Sequence, residues 1–131
     1  MIKFFSNYKT IFYFINFFMI FLYLFPGSLV GLVMYNDKNI QPQITRDFIV
    51  SSNHFYLFVL ITVIGFFTFT KSKQIKYLII YLIFLSIVLE IFHLIIPARS
   101  FQWSDLFGNL FGVIIVIFIY NLINRYGVFK K

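Results

Sequence analysis

The chain contains no cysteine among its 131 residues, and this absence excludes disulfide bonds, thiolate metal sites and lipoprotein acylation. Charged residues are also scarce, at 11% of the chain, whereas 61% of the residues are hydrophobic and 24% are aromatic. A soluble domain must cover its core with polar surface, and this chain lacks the polar residues to do so. Together with a mean hydropathy of +0.91, the composition predicts an integral membrane protein whose partners include membrane lipids.

Acidic residues are the scarcest charged type, and the distribution of charge predicts the orientation of the chain. Basic residues stand before the first apolar tract, between the second and third, and after the fourth: Lys3, Lys9, Lys71, Lys73, Lys76, Arg125, Lys130 and Lys131. The acidic residues all fall outside those regions: Asp37, Asp47, Glu90 and Asp105. The positive-inside rule therefore places both termini in the cytoplasm. No nucleic-acid partner is expected from the net charge of +7, because no recognition fold accompanies it.

Four apolar tracts, without the alternation that β-barrel strands require, predict an all-α protein. A helix needs about 20 apolar residues to cross the bilayer core. The second tract is short, so we expect its helix to begin upstream, near Phe48. The chain is thus predicted to form one domain, residues 1–131, a four-helix transmembrane bundle with helices at about 10–35, 48–70, 75–97 and 104–124. Pro26 and Gly27 should bend or break the first helix within its outer half.

Polar residues interrupt the third apolar tract near its outward end. Glu90, His93 and Pro97 are three and four positions apart, so they share one face of a helix. At about 1.5 Å per residue, Glu90 would lie roughly 10 Å below the end of this helix. His54, at the outward end of the second helix, can join the same group. Polar groups in hydrocarbon are costly, so these side chains are candidates for a functional site.

The fourth apolar tract also begins with polar and small residues. Asp105, Gly108, Asn109 and Gly112 follow the same helical spacing, and Arg99 stands in the short loop before them. Gly108 and Gly112 form a small-xxx-small pair that permits close helix packing and brings Asn109 against a neighbour. We expect Asp105 to orient Arg99, whose planar guanidinium suits a phosphate or carboxylate ligand. A helix cap is the alternative role for Asp105.

Two interpretations of this polar cluster are open. In the first it only staples helices together, with Arg99 paired to Glu90 or Asp105 and with interhelical hydrogen bonds from His93 and Asn109. Such hydrogen bonds average about 0.6 kcal/mol, whereas an unpaired Glu in the membrane costs on the order of 2–3 kcal/mol. This balance favours the second interpretation, an outward-facing binding pocket formed by His54, Glu90, His93, Arg99, Asp105 and Asn109. No His-x-x-x-His or similar ligand spacing is present, so neither a metal nor another cofactor is predicted.

The cluster resembles the VanZ-like family of small polytopic bacterial membrane proteins. The family has a Glu, a polar residue three positions on, Pro-x-Arg, and then Asp, Asn and Gly, and the matching residues here are Glu90, His93, Pro97, Arg99, Asp105, Asn109 and Gly112. A second family feature, Asp-Lys-x-x-His at the start of the second helix, is met only by His54, since Val50 and Ser51 occupy its acidic and lysine positions.

The resemblance implies a multi-pass protein of the bacterial cytoplasmic membrane, and it links the chain to glycopeptide resistance because the founding family member is linked to teicoplanin resistance. The expected ligand of the pocket is a lipid head group, a cell-wall precursor or a glycopeptide-related molecule. One alternative is a membrane-embedded hydrolase or transferase of a lipid-linked substrate, with Glu90 or His93 as general base. No Ser-x-x-Lys or Gly-x-Ser-x-Gly nucleophile is present to support it. The other alternative is a structural or holin-like protein, which needs no polar cluster.

Overall fold

The computed structural model describes residues 2–127 of the chain, and side chains from residue 8 onward. Within this range the protein is entirely helical, which confirms the predicted fold class. The helices are α1 (Ile2–Leu24), α2 (Leu29–Tyr35), α3 (Ser52–Thr68), α4 (Ser72–Phe92) and α5 (Trp103–Tyr126). Of the basic residues used above to predict orientation, Lys130 and Lys131 and the side chain of Lys3 lie outside the described part.

The long helices pack side by side in alternating directions. Helix α3 contacts α5 most extensively and also touches α1 and α4, while α4 packs on α5 and α1. At one end, Thr68 near the end of α3 donates its hydroxyl to the carbonyl of Tyr8 in α1 at 3.4 Å. At the other end, the last turns of α1 and α4 meet the first turns of α3 and α5, as the hydrogen bond from Tyr23 to Asn109 shows. We call this second end the site end.

The first predicted helix is two helices instead of one, because the chain breaks at Pro26 and Gly27. Pro26 has no backbone N–H for a helical hydrogen bond, and Gly27 has a φ of 86°, which favours glycine. Ser28 then begins α2 by accepting a hydrogen bond of 2.9 Å from the amide of Gly31. The axes of α1 and α2 differ by 81°. The predicted break at Pro26 and Gly27 is therefore confirmed, whereas α1 begins at Ile2, upstream of the predicted start near residue 10.

The second helix also begins later than expected, at Ser52 rather than near Phe48. The segment before it is a loop that folds over the start of α3. Asp47 Oδ1 accepts a hydrogen bond of 2.9 Å from the amide of Ser52, and Ser52 Oγ donates to the carbonyl of Thr45 at 2.6 Å. These side-chain bonds satisfy groups at the helix start and fix its position. The negative charge of Asp47 also interacts favourably with the positive N-terminal end of the α3 dipole.

Helix α4 ends at Phe92, five residues before the predicted end at 97, and the chain continues in turns to Ala98. The amides of Leu94 and Ile95 bond to carbonyls three residues back, at 3.0 Å each. This tightening precedes Pro97, which disfavours the helical conformation of the residue before it. Glu90 therefore lies in the last turn of α4, about 3 Å of helix rise from its end, and the predicted depth of about 10 Å is wrong.

Several helices have the length and composition of membrane spans. Helices α4 and α5 meet both criteria alone, and the bent pair of α1 and α2 meets them if it is counted as a single span. Helix α3 is apolar but has only 17 residues. Aromatic and aliphatic side chains are exposed along the outer faces, as with Phe14 at 69% and Phe118 at 57%. Such surfaces suit hydrocarbon more than water, and they indicate a membrane protein.

Candidate functional site

The residues expected to form a pocket do come together at the site end. His54 lies in the first turn of α3, Glu90 and His93 lie at the end of α4, and Asp105 and Asn109 lie at the start of α5. Glu90, His93 and Asn109 are fully or almost fully buried, and His54 is 5% exposed. Burial of so many polar groups at one point, contributed by three helices, requires that they satisfy one another or bind something.

Gly108 and Gly112 bring α5 against α3, as the sequence pattern predicted. A Cβ on Gly108 would lie 2.8 Å from the carbonyl oxygen of Ser51. A Cβ on Gly112 would lie 2.6 Å from the carbonyl oxygen of Phe55 and 2.8 Å from the Cβ of Phe58. The two backbones thus approach more closely than any larger residue permits, and this contact sets His54 beside Asp105.

His54 interacts with two partners through the same ring nitrogen. Its Nδ1 lies 2.9 Å from the hydroxyl oxygen of Ser51 and 3.6 Å from Oδ1 of Asp105. A serine nucleophile is activated when the serine and the acid use opposite nitrogens of the imidazole. Here both lie at Nδ1, so this group does not form a catalytic triad.

Glu90 and His93 form the most deeply buried part of the cluster. Glu90 Oε2 lies 3.2 Å from His93 Nδ1, and both side chains are no more than 1% exposed. The other oxygen of Glu90 accepts a hydrogen bond of 2.9 Å from the amide of Gln102. The Nε2 of His93 lies 3.0 Å from the carbonyl oxygen of Tyr23. Within residues 2–127, Glu90 Oε2 and His93 Nδ1 themselves have no hydrogen-bond partner.

Asn109 connects α5 to two other helices. Its side-chain oxygen accepts a hydrogen bond of 2.7 Å from the Tyr23 hydroxyl, and its amide nitrogen donates to the carbonyl of Ser86 at 3.2 Å. The ring of Tyr23 also stacks on His93, with centroids 5.9 Å apart, and meets His54 edge-on at 5.0 Å. The interhelical hydrogen bonds expected of His93 and Asn109 are therefore present.

Arg99 binds differently from the prediction. Its Nε donates to the carbonyl of Phe25 at 3.2 Å and its Nη2 donates to the carbonyl of Leu22 at 3.1 Å. In the part of the chain that the structure describes, Arg99 forms no ion pair with Glu90 or with Asp105, so the expected pairing is corrected. A cation at the C-terminal end of α1 satisfies carbonyls that the break leaves free and opposes the negative end of the helix dipole.

The partly buried position of Arg99 changes the pKa of its guanidinium. Burial lowers the pKa of its guanidinium, while nearby Tyr23, Asp105 and Glu90 raise it. Arginine nevertheless stays protonated in proteins. The carbonyl contacts occupy one edge of the guanidinium, and its other N–H groups have no partner among the described residues, so they can bind a ligand.

Arg99 lines two cavities at the site end. One, of about 280 Å³, is mainly apolar and is bounded by residues such as Tyr23, Leu57 and Leu29. The other, of about 140 Å³, is polar and is bounded by Lys38, His93 and Asp105. The polar cavity is large enough for a phosphate-sized group with several waters. Arg99 thus stands between an apolar space and a polar space that a second basic residue, Lys38, also lines.

Sequence reasoning missed four participants in the site. Tyr23 and Ser86 contribute a hydroxyl and a carbonyl to Asn109, Ser51 contacts His54, and Gln102 donates its amide to Glu90. Two of these four act through the backbone, which no side-chain pattern reveals. Of the four, only Tyr23 has a signal in the sequence, because it is the last tyrosine before the Pro26–Gly27 break.

The fold and the site define an all-helical membrane protein with a buried polar cluster where four helix ends meet. Comparison of the chain with protein-family models, with curated proteins and with solved structures gave no match. The geometry of the site and the spacing of its residues are therefore the basis for inferring its function.

Proposed function

We propose that this chain is a VanZ-like, multi-pass protein of the bacterial cytoplasmic membrane that binds the phosphate-bearing head group of a lipid or cell-envelope precursor. The observation that carries the proposal is the position of Arg99 between the two cavities. Its remaining N–H groups favour an anion in the polar cavity, which the basic residue Lys38 also lines. The adjoining apolar cavity suits the non-polar part of the same ligand.

The family proposal is supported by the way its pattern residues converge. Glu90, His93 and Asp105 carry the resemblance in sequence, and they lie within one cluster together with Asn109. Their spacing puts them on shared helix faces, and the packing of α3, α4 and α5 brings those faces together. The family connection in turn supports a role in tolerance of glycopeptides such as teicoplanin.

The proposed topology is a four-helix transmembrane bundle with both termini in the cytoplasm and the site end outside. The end opposite the site carries Lys9, Lys71, Lys73, Lys76 and Arg125, whereas the site end carries fewer basic residues, Lys38, Arg46 and Arg99. The positive-inside rule supports this orientation. Because α3 is short, it crosses with help from the loop before Ser52 or from a locally thinned bilayer.

The absence of native cysteine makes the topology simple to test. A cysteine can be introduced at each end, as Asn39→Cys at the site end and as Lys73→Cys at the opposite end. A membrane-impermeant maleimide added to intact cells should label Asn39→Cys, and should label Lys73→Cys only after permeabilisation. The reverse labelling pattern would contradict the proposed orientation.

Ligand binding is tested by native mass spectrometry of protein purified from bacterial membranes. The wild type should retain a phosphate-containing lipid or precursor, whose mass tells the two sources apart. Lys38→Glu should lower the retention of this ligand roughly tenfold, because a basic side chain beside the anionic head group is replaced by a carboxylate that repels it. Arg46→Glu is the matched control, since it makes the same change at an exposed position of the same end. Equal retention by Lys38→Glu and wild type would contradict the proposal.

The resistance phenotype is tested in a teicoplanin-susceptible bacterium that expresses the chain. The wild type should raise the inhibitory concentration of teicoplanin, and Arg99→Ala should abolish the increase at equal protein level. Arg46→Ala should behave as the wild type does. An Arg99→Ala variant with full activity would rule out this account.

A further inference from the structure

We propose that His54, Glu90 and Asp105 form a binding site for a divalent transition-metal ion, with Zn²⁺ as the ion that fits best. One ligand atom from each of the three side chains lies within 4.8 Å of the others. His93 adjoins the group through Glu90, with its Nδ1 3.2 Å from Glu90 Oε2. This inference does not depend on the head-group proposal, because it concerns the protein without any lipid.

Two distances in the cluster match the spacing of ligands around zinc. With metal–ligand bonds of about 2.0–2.1 Å, tetrahedral geometry separates neighbouring ligand atoms by about 3.3 Å. Glu90 Oε2 lies 3.2 Å from His93 Nδ1, and His54 Nδ1 lies 3.6 Å from Asp105 Oδ1. Two histidine–carboxylate pairs therefore already have the separation of a coordination edge.

The hydrogen bonds of His93 show that its Nδ1 presents a lone pair. A carbonyl oxygen can only accept, so His93 Nε2 must carry the proton that it donates to Tyr23. In a neutral imidazole the other nitrogen is then an acceptor, and here it faces an oxygen of Glu90. Two buried acceptors with no hydrogen-bond partner repel each other unless a cation or a proton lies between them.

The partners of these groups are those that support metal ligands. A metal-bound histidine usually donates its other N–H to a carbonyl or carboxylate, as His93 does to Tyr23. A ligating carboxylate is usually hydrogen-bonded through its second oxygen, as Glu90 is to the amide of Gln102. Glu90 and His93 thus face each other with atoms that lack hydrogen-bond partners, while the other nitrogen of His93 and the other oxygen of Glu90 are hydrogen-bonded.

The donor types indicate the class of ion. Imidazole nitrogen suits zinc and other first-row transition ions, whereas Mg²⁺ and Ca²⁺ prefer oxygen ligands throughout. Asp105 and His93 also line the polar cavity that contains Arg99. An ion in this position would face that cavity and strengthen its attraction for an anion.

The test is zinc binding to tag-free protein purified in a neutral detergent without added lipid. After equilibrium dialysis against buffered Zn²⁺, elemental analysis should give a single equivalent per chain. Protein loaded with Co²⁺ in place of Zn²⁺ should show the visible absorption of a Co²⁺ ion with few ligands, which are nitrogen and oxygen atoms. Glu90→Gln should weaken zinc binding at least about tenfold, since even supporting residues of metal sites contribute 10–100-fold. Gln keeps the size of Glu and an oxygen for the amide of Gln102.

Asp37→Asn is the matched control, because Asp37 is an acid of the same end whose side chain accepts a hydrogen bond from the nearby amide of Asn39. It should bind zinc as the wild type does. Lys38→Glu should also keep the ion, so loss of lipid binding and loss of metal binding are distinguishable. Wild-type protein without zinc above the dialysis background, or Glu90→Gln with wild-type affinity, would overturn the proposal.

Discussion

The hydroxyl group of Tyr23 donates a hydrogen bond of 2.7 Å to the side-chain oxygen of Asn109, although the two residues are 86 positions apart. The amide group of Asn109 continues the connection to the carbonyl of Ser86. Three helices are thus tied at one buried side chain. This hydrogen-bonded junction forms the floor beneath the histidine–carboxylate cluster.

Removal of the Tyr23 hydroxyl should destabilise the bundle. Tyr23→Phe leaves the oxygen of Asn109 buried without a donor, at a cost of about 1–3 kcal/mol. Tyr13→Phe on the same helix is the control, because Tyr13 is 59% exposed. Unfolding in detergent mixtures, followed by circular dichroism, measures both variants. The same free energy of unfolding for both would mean that this hydrogen bond does not stabilise the fold.

A methyl group at Gly112 should force α3 and α5 apart. The new Cβ would approach the carbonyl oxygen of Phe55 to 2.6 Å, and backbone cannot move aside as a side chain can. Gly112→Ala should therefore lower the free energy of unfolding by about 1–3 kcal/mol. Ile114→Ala, at a position 52% exposed on the same helix, should have a smaller effect. A smaller loss of unfolding free energy in Gly112→Ala than in Ile114→Ala would contradict the close packing of α3 on α5.

Arg99 should protect the end of α1 through its planar donor group. Arg99→Lys keeps the charge but cannot donate to Leu22 and Phe25 in the same fork geometry. Hydrogen exchange of the amides between residues 24 and 31 should accelerate roughly fivefold or more, as expected for a loss near 1 kcal/mol. Arg46→Lys should leave the exchange unchanged. Unaltered protection in Arg99→Lys would show that the charge alone is sufficient.

Asp47 should stabilise the start of α3. Asp47→Ala removes the acceptor for the amide of Ser52 and should cost about 0.5–2 kcal/mol. Asp47→Asn keeps an oxygen acceptor without the charge, so comparison of the two variants separates the hydrogen bond from the dipole interaction. Thermal unfolding in detergent provides the measurement. An alanine variant as stable as the wild type would show that the loop does not anchor α3.

Much of the fold was predictable because membrane helices have strong signals in sequence. Apolar tracts gave the helical class, and the start of α5 was placed within one residue of Trp103. The spacing of Glu90 with His93, and of Gly108 with Gly112, correctly placed these residues on shared faces. Helix ends were harder, since the start at Ser52 depends on bonds from the preceding loop that composition does not reveal.

The partners within the site were less predictable than its members. Arg99 was expected to bind a carboxylate because charge is visible in sequence, but the break at Pro26 frees carbonyls that compete for it. The ligand spacing of a metal site was also invisible. His54, Glu90 and Asp105 come from three different helices, so no short sequence motif can contain them.

The break at Pro26 and Gly27 also has a consequence for assembly of the protein. Helix α1 is synthesised and inserted before Arg99 exists, so the carbonyls of Leu22 and Phe25 must first be satisfied by water or by lipid head groups. Only arrival of the hairpin of α4 and α5 supplies their permanent donor. Completion of the first helix therefore awaits the last two, and a chain truncated before Arg99 would be left with an unfinished helix end that quality-control proteases can recognise.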